Sequence, residues 1–211
     1  MPTRKRKRAA GLGREEILSA AKREFAAKGF AAASTAGIAR LAKVTQPLVH
    51  HHFKSKRALW LAVADELFAP LQNALRSALA ECSMQPVGSR LEHLVRTLVR
   101  HVGTHPATAR LTRLETMSGG EAFGLLYERW LAPMVKLLED ELAQGVREGV
   151  VRPIDTRLAV LLIAGAVGQP FAEPRVARHA FQLDMLAPAM VEAYGEFIVR
   201  TLLQGLLAKP G

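Results

Sequence analysis

Two helix-start signals stand so close together early in the chain that only a tightly joined pair of short helices can accommodate both. Ser34 or Thr35 can cap one helix that turns Ile38, Leu41 and Ala42 inward, and Thr45, followed by Gln46 and Pro47, can cap the next. Lys43 and Val44 are all that remains for the turn. Helices joined in this way form a helix-turn-helix, here over residues 34–53, and such a motif leads its second helix into the DNA major groove by the N-terminus. Ala39 is small enough for the helices to cross closely, and Val44 plugs the turn. Lys43 is the awkward residue, because this turn asks for a positive φ that lysine adopts at a cost of about 1 kcal/mol.

Charge points to the same partner. Residues 1–60 carry a net charge of +11, whereas residues 61–211 carry −1. A polyanion is the natural partner of so basic a block, because neutralising its phosphates releases counterions; the plainer alternative is a solubilising basic tail. Arg4, Lys5, Arg6, Lys7 and Arg8 have no apolar period and read as a disordered arm, residues 1–12. The longest apolar run, Leu158–Val167, is too short to span a bilayer, and no apolar signal core follows the basic N-terminus, so no membrane role and a cytoplasmic location are expected.

The rest of the pattern is helical, and the expected class is all-α with about nine helices. A first helix from about Gly13 to Lys28 places Ile17, Leu18, Ala21 and Phe25 on one face and ends at Gly29. A long helix from Lys56 to Cys82 contains Pro70, which implies a kink. Further helices are expected at about 88–104, 106–118, 121–148, 155–171 and 184–208, separated by Pro- and Gly-bearing segments. Residues 13–57 thus read as a three-helix DNA-binding domain and 58–211 as a second helical domain.

In the order Ile17 to Phe25, Gly29-Phe30, Ser34-Thr35, Ile38-Ala39, Val44, then His52-Phe53-Lys54-Ser55-Lys56 and Ala58-Leu59, the chain resembles the tetracycline-repressor (TetR) family of bacterial regulators. The specific match covers about residues 13–62; beyond it only helical layout and length agree. The resemblance implies that Thr35 binds a phosphate, that Thr45, Gln46, Pro47, Leu48, His50 and His51 face bases and backbone in the groove, and that Lys56 holds a phosphate. Two positions depart from the family: Lys43 replaces the usual turn glycine, and His50 the usual tyrosine. Residue chemistry agrees on the readers, because Gln46 can pair with adenine N6 and N7, Leu48 or Pro47 can touch a thymine methyl, and Lys54, Lys56 and Arg57 can meet phosphates. His50, His51 and His52 are consecutive, so on a helix their side chains point about 100° apart and do not converge on a metal.

The family layout also implies a C-terminal ligand-binding and dimerisation domain, a palindromic operator, a small-molecule effector of unknown identity and a homodimeric repressor. His101, His105, Arg113, Met117, Phe123, Tyr127, Trp130 and Met134 can line a pocket, or can equally be core. Leu161, Gly165 and Gly168, with Met190, Tyr194, Phe197, Ile198 and Thr201, form the expected dimer surface of two apolar helices. Cys82 is the single cysteine, which excludes an internal disulfide. No paired carboxylates, nucleophile with a base, phosphate loop or zinc motif occurs at usable spacing, so neither a cofactor nor an enzyme is expected. The remaining alternative is a non-specific or architectural DNA-binding protein.

Overall fold

The computed structural model describes the backbone of residues 4–207 and the side chains of residues 13–207. Residues 4–12 of the expected disordered arm are instead helical and extend the first helix ahead of its expected start at Gly13, while residues 1–3 lie outside the described residues. The first helix, α1, spans Arg4–Ala32, and a break inside it falls at Gly29, where φ is 74° and ψ 174°. That backbone conformation is open to glycine and strained for residues with a Cβ. It turns the chain so that Phe30 packs back between Phe25 and Trp60.

Helix α2 (Thr35–Ala42) and helix α3 (Gln46–His52) follow. The Ser34 hydroxyl accepts from the Gly37 N–H at 3.0 Å, so the expected cap on α2 is made. Ile38 and Ala39 are buried, but Leu41 is exposed rather than inward as its spacing suggested. So short a helix buries only a narrow face, and Leu41 falls beside it. Helix α4 (Lys56–Glu81) is capped by the Ser55 hydroxyl, which accepts from Ala58 N–H at 3.0 Å, and continues through Pro70.

Helix α5 (Val87–Thr104) and helix α6 (Pro106–Ser118) match the expected spans closely. The expected helix at 121–148 is present in three pieces: α7 (Gly120–Leu126), a π-helical turn (Tyr127–Leu131) and α8 (Ala132–Arg147). Helix α9 (Thr156–Ala172) begins at Asp155, whose carboxylate accepts from Arg157 N–H at 3.0 Å. Helix α10 (Arg175–Phe181) was not anticipated. Helix α11 (Pro188–Ile198) runs through a second π turn (Val199–Leu203) into α12 (Gln204–Leu206). An isolated antiparallel bridge between Val151 and Leu207 ties this last segment to the α8–α9 connection. No helix among the described residues is long and apolar enough to cross a membrane.

Two apolar clusters hold the molecule together. One joins α1, α2 and α3 to the first half of α4, to Leu111 of α6 and to Trp130, so the packing continues across residue 57 without a seam. The other fills the space among the second half of α4, α5, α8, α9 and α11. Helices α1, α2 and α3 therefore share their core with α6 and with the turn that carries Trp130.

Candidate nucleic-acid interface and effector pocket

The turn between α2 and α3 places Lys43 in the left-handed region, φ 56° and ψ 38°, where lysine was expected to be strained. Its N–H donates to Arg40 O at 3.2 Å and that of Val44 to Ala39 O at 3.0 Å, which closes α2 within a single residue. Thr45 occupies the N-cap position of α3 in extended conformation, but its hydroxyl caps nothing; Leu48 N–H donates instead to Thr45 O at 3.1 Å.

Val49 is buried and anchors α3, leaving Gln46, Pro47, His50 and His51 exposed. Leu48 is half-buried against the core, so only part of it is available to a base. The Gln46 amide donates to the Thr35 hydroxyl at 3.2 Å, so two residues of separate helices that the resemblance assigns to DNA contacts are joined. His52 is half-buried, with its ring 6.5 Å from that of Phe53. Lys54 is exposed.

Lys56 is engaged within the chain. Its ammonium donates to Phe30 O at 2.8 Å and to Ala33 O at 3.1 Å, lies 3.4 Å from Ala31 O, and stands 4.4 Å from the centre of the Phe30 ring. An ammonium has three donors, and all three face carbonyls at the end of α1. In this structure Lys56 fastens the α1 terminus to α4. Arg57 is likewise engaged, by Glu121 at 2.8 Å.

Beneath Lys56 lies a residue that sequence reasoning missed. Glu115 of α6 is only 1% exposed, and one of its carboxylate oxygens accepts from Phe30 N–H at 2.7 Å and from the Trp60 indole N–H at 3.3 Å. The available signal was a carboxylate in helical register with Thr108 and Leu111 on the buried face of α6. Burial raises the Glu115 pKa, outweighing the hydrogen bonds from Phe30 and Trp60 and the nearby Lys56 charge, which lower it. A carboxyl with a raised folded-state pKa binds more protons folded than unfolded, so the stability it contributes at low pH is lost as pH rises above the ordinary value of 4.5. Glu115→Gln keeps an acceptor for both donors and removes the titration. Urea unfolding at a series of pH values should then show a flatter decline above that pH than in the unsubstituted protein; an unchanged slope would refute the assignment.

A cavity of about 340 Å³ lies among α4, α5, α6, α8 and α9. Of the anticipated pocket residues, Arg113, Tyr127 and Met134 line it. The other five do not. Trp130 is buried between Trp60 and Phe68, at 6.1 and 6.2 Å between ring centres. Phe123 packs against Tyr127, with ring centres 6.1 Å apart. Met117 is 74% exposed and borders a neighbouring polar cleft. His101 and His105 stack on each other at 4.6 Å at the end of α5, away from the cavity, and burial together with the His105 charge lowers the His101 pKa. Thr108, Thr112, Gly165 and Gly168 line the cavity and were not assigned to it. The sequence does not show which flank of α6 faces inward, and that flank selects 108 and 112 together with 113.

The expected dimer surface divides in two. Leu158, Leu161 and Leu162 on α9 and Phe197 on α11 are exposed, as are Gly165 and Thr201. Tyr194 joins the two helices, its hydroxyl donating to Ala166 O at 2.7 Å. Ile198 is only 4% exposed and belongs to this chain's own core, so it is corrected out of the surface; α11 turns it inward, one residue from the outward Phe197. Met190 is half-buried against that core, and Gly165 and Gly168 both also line the cavity.

Residues 17–63 match the family model described as bacterial regulatory proteins, tetR family, and residues 88–202 match the tetracyclin repressor-like C-terminal domain. The HTH-type transcriptional regulator RutR of Escherichia coli is 29% identical over 168 residues, which cover 76% of this chain and 74% of RutR. EthR of Mycolicibacterium smegmatis, another HTH-type transcriptional regulator, is 26% identical over 150 residues, 70% of this chain and 69% of EthR. The solved structure of the ketosteroid transcriptional regulator KstR2 of Mycobacterium tuberculosis shares the fold, with a TM-score of 0.69 at 22% identity over 93% of this chain and 95% of that one.

Proposed function

We propose that this chain, which belongs to the tetR family of bacterial regulatory proteins and is a DNA-binding transcriptional regulator rather than an enzyme, acts in the cytoplasm as a homodimeric repressor released from a palindromic operator by a small molecule. The observation that carries the reading is the exposed row Gln46, Pro47 and His50, held outward by buried Val49 on a helix that starts directly after a tight turn. A recognition helix so anchored presents its first turn to base edges. Two copies address two half-sites, and the exposed apolar stripes of α9 and α11 offer the self-complementary surface that a two-fold dimer needs.

Release follows from linkage: a ligand that favours one arrangement of the recognition helices over another shifts their populations. Helix α6 is placed to carry that shift, because Thr108, Thr112 and Arg113 face the cavity while Glu115 holds the end of α1.

Selection of bound sequences from a random DNA pool tests the proposal and should enrich a palindrome. Gln46→Ala should then narrow the gap between operator and random DNA, losing about 1–3 kcal/mol of discrimination, whereas Lys54→Ala should weaken both alike. Failure to enrich any sequence would identify a non-specific DNA binder instead.

A further inference from the structure

We infer that the cavity takes an amphipathic monoanion, an apolar body carrying one carboxylate-like head that sits against Arg113 and Thr108. This rests on reading the cavity as the effector site and adds the chemistry of what enters it. Most of the wall is hydrocarbon, supplied by Leu71, Leu75, Leu98, Val102, Leu131 and Leu138. Such a wall favours an aliphatic or aryl body and offers nothing to a polar one.

Helix α6 supplies Thr108, Thr112 and Arg113 to the lining, with Tyr127 and Gln169 as the other polar side chains. The Thr108 hydroxyl is buried and has no hydrogen-bond partner. The Thr112 hydroxyl is already committed, donating to Thr108 O at 2.9 Å. One terminal nitrogen of Arg113 is buried and also without an acceptor; the nearest carboxylate oxygen, on Glu173, stands 3.9 Å away, beyond hydrogen-bond reach.

Glu173 neutralises the Arg113 charge only in part. Its two oxygens are taken by Arg175 at 2.7 and 3.2 Å, and its carboxyl is held below the ordinary range by Arg175 first, then by Arg113 and Arg110. One carboxylate thus answers three guanidinium groups, and the surplus is positive. A buried hydroxyl and a buried guanidinium N–H, both lacking acceptors beside an apolar chamber, are complementary to an anion with two oxygens. No carboxylate side chain lines the cavity to receive a cationic head.

The experiment is calorimetric titration of the full-length protein with three probes of one chain length, sodium decanoate, decan-1-ol and decylamine, each kept monomeric in solution. Decanoate should bind at least about 10-fold more tightly than decanol and about 100-fold more tightly than decylamine. Arg113→Met should bring decanoate down to the affinity of decanol, Arg113→Lys should keep part of the preference, and Thr108→Val should weaken decanoate and decanol alike by about 5-fold. Equal or tighter binding of the amine, a preference that survives Arg113→Met, or no binding of any probe overturns the assignment. The titration reads occupancy and not DNA release. A carboxylate preference without effect on operator affinity therefore supports the ligand class while overturning the effector role, and loss of the preference leaves the palindrome test untouched.

Discussion

Leu161→Glu combined with Phe197→Glu should yield a folded monomer whose affinity for the operator has fallen by at least about 100-fold. Leu161 is 68% and Phe197 57% exposed, so neither substitution disturbs the core of the single chain. In a two-fold dimer each patch meets its own copy, and the substitutions set like charges against one another across the axis. The size of the loss follows from valency. One recognition helix reads few bases, and tethering two makes the second contact intramolecular, which multiplies affinity by about 10² to 10⁴. Sedimentation should show a monomer, and weak binding to random DNA should persist because the basic surface is intact. A dimer that survives both charges would refute the surface. Ile198→Glu is the contrasting substitution: buried within the chain, it should unfold the protein rather than split a dimer.

Gly103→Ala should destabilise the fold by about 1–3 kcal/mol. A Cβ on Gly103 would lie 2.6 and 2.7 Å from the two γ-methyls of Val191 and 3.1 Å from the Phe171 ring. All three groups are fixed in the core where α5 meets α11 and α9, so none can swing away as the end of a long side chain would. In a chain of this length each kcal/mol lowers the melting midpoint by about 2–4 °C. Val191→Ala removes both obstructing methyls, so the double variant should be more stable than the sum of the single effects. Strictly additive losses would show that the crowding is relieved elsewhere.

The short helices α2 and α3 were legible because their signals are local: Ser34 as a cap, Pro47 in a first turn, and too few residues between for any other connection. Gly29, the entry to α4 at Ser55 and the spans of α5 and α6 were readable for the same reason. Helix α10 was not, since none of its residues is buried and so no apolar period marks it. The π turn at Tyr127–Leu131 leaves the run of helix-forming residues unbroken and therefore left no trace either.

The site was harder to read than the fold, because its membership depends on which side of a helix faces which neighbour. Lys56 sits where the family places a phosphate contact, yet its ammonium is consumed by carbonyls of a segment more than one helix away in sequence. Met117 and Trp130 are both apolar and near the right place, but one is at the surface and the other is fixed between aromatic rings. Arg113, Tyr127 and Met134 do line the cavity, whereas Thr108 was passed over because a threonine in a helix carries no signal until its hydroxyl is seen to lack a partner.

The contact between Trp60 and Trp130 also gives the molecule an optical property. These are the only two tryptophans in the chain, and they meet edge to face at 6.1 Å, one on the helix that continues from the DNA-binding motif and the other on the turn between Tyr127 and Met134 of the cavity wall. The Glu115 carboxylate touches the indole of Trp60. Intrinsic fluorescence and near-ultraviolet dichroism excited through tryptophan therefore originate at a single point, the joint between the two halves. A rearrangement that moves one half against the other changes the spectrum without any attached dye.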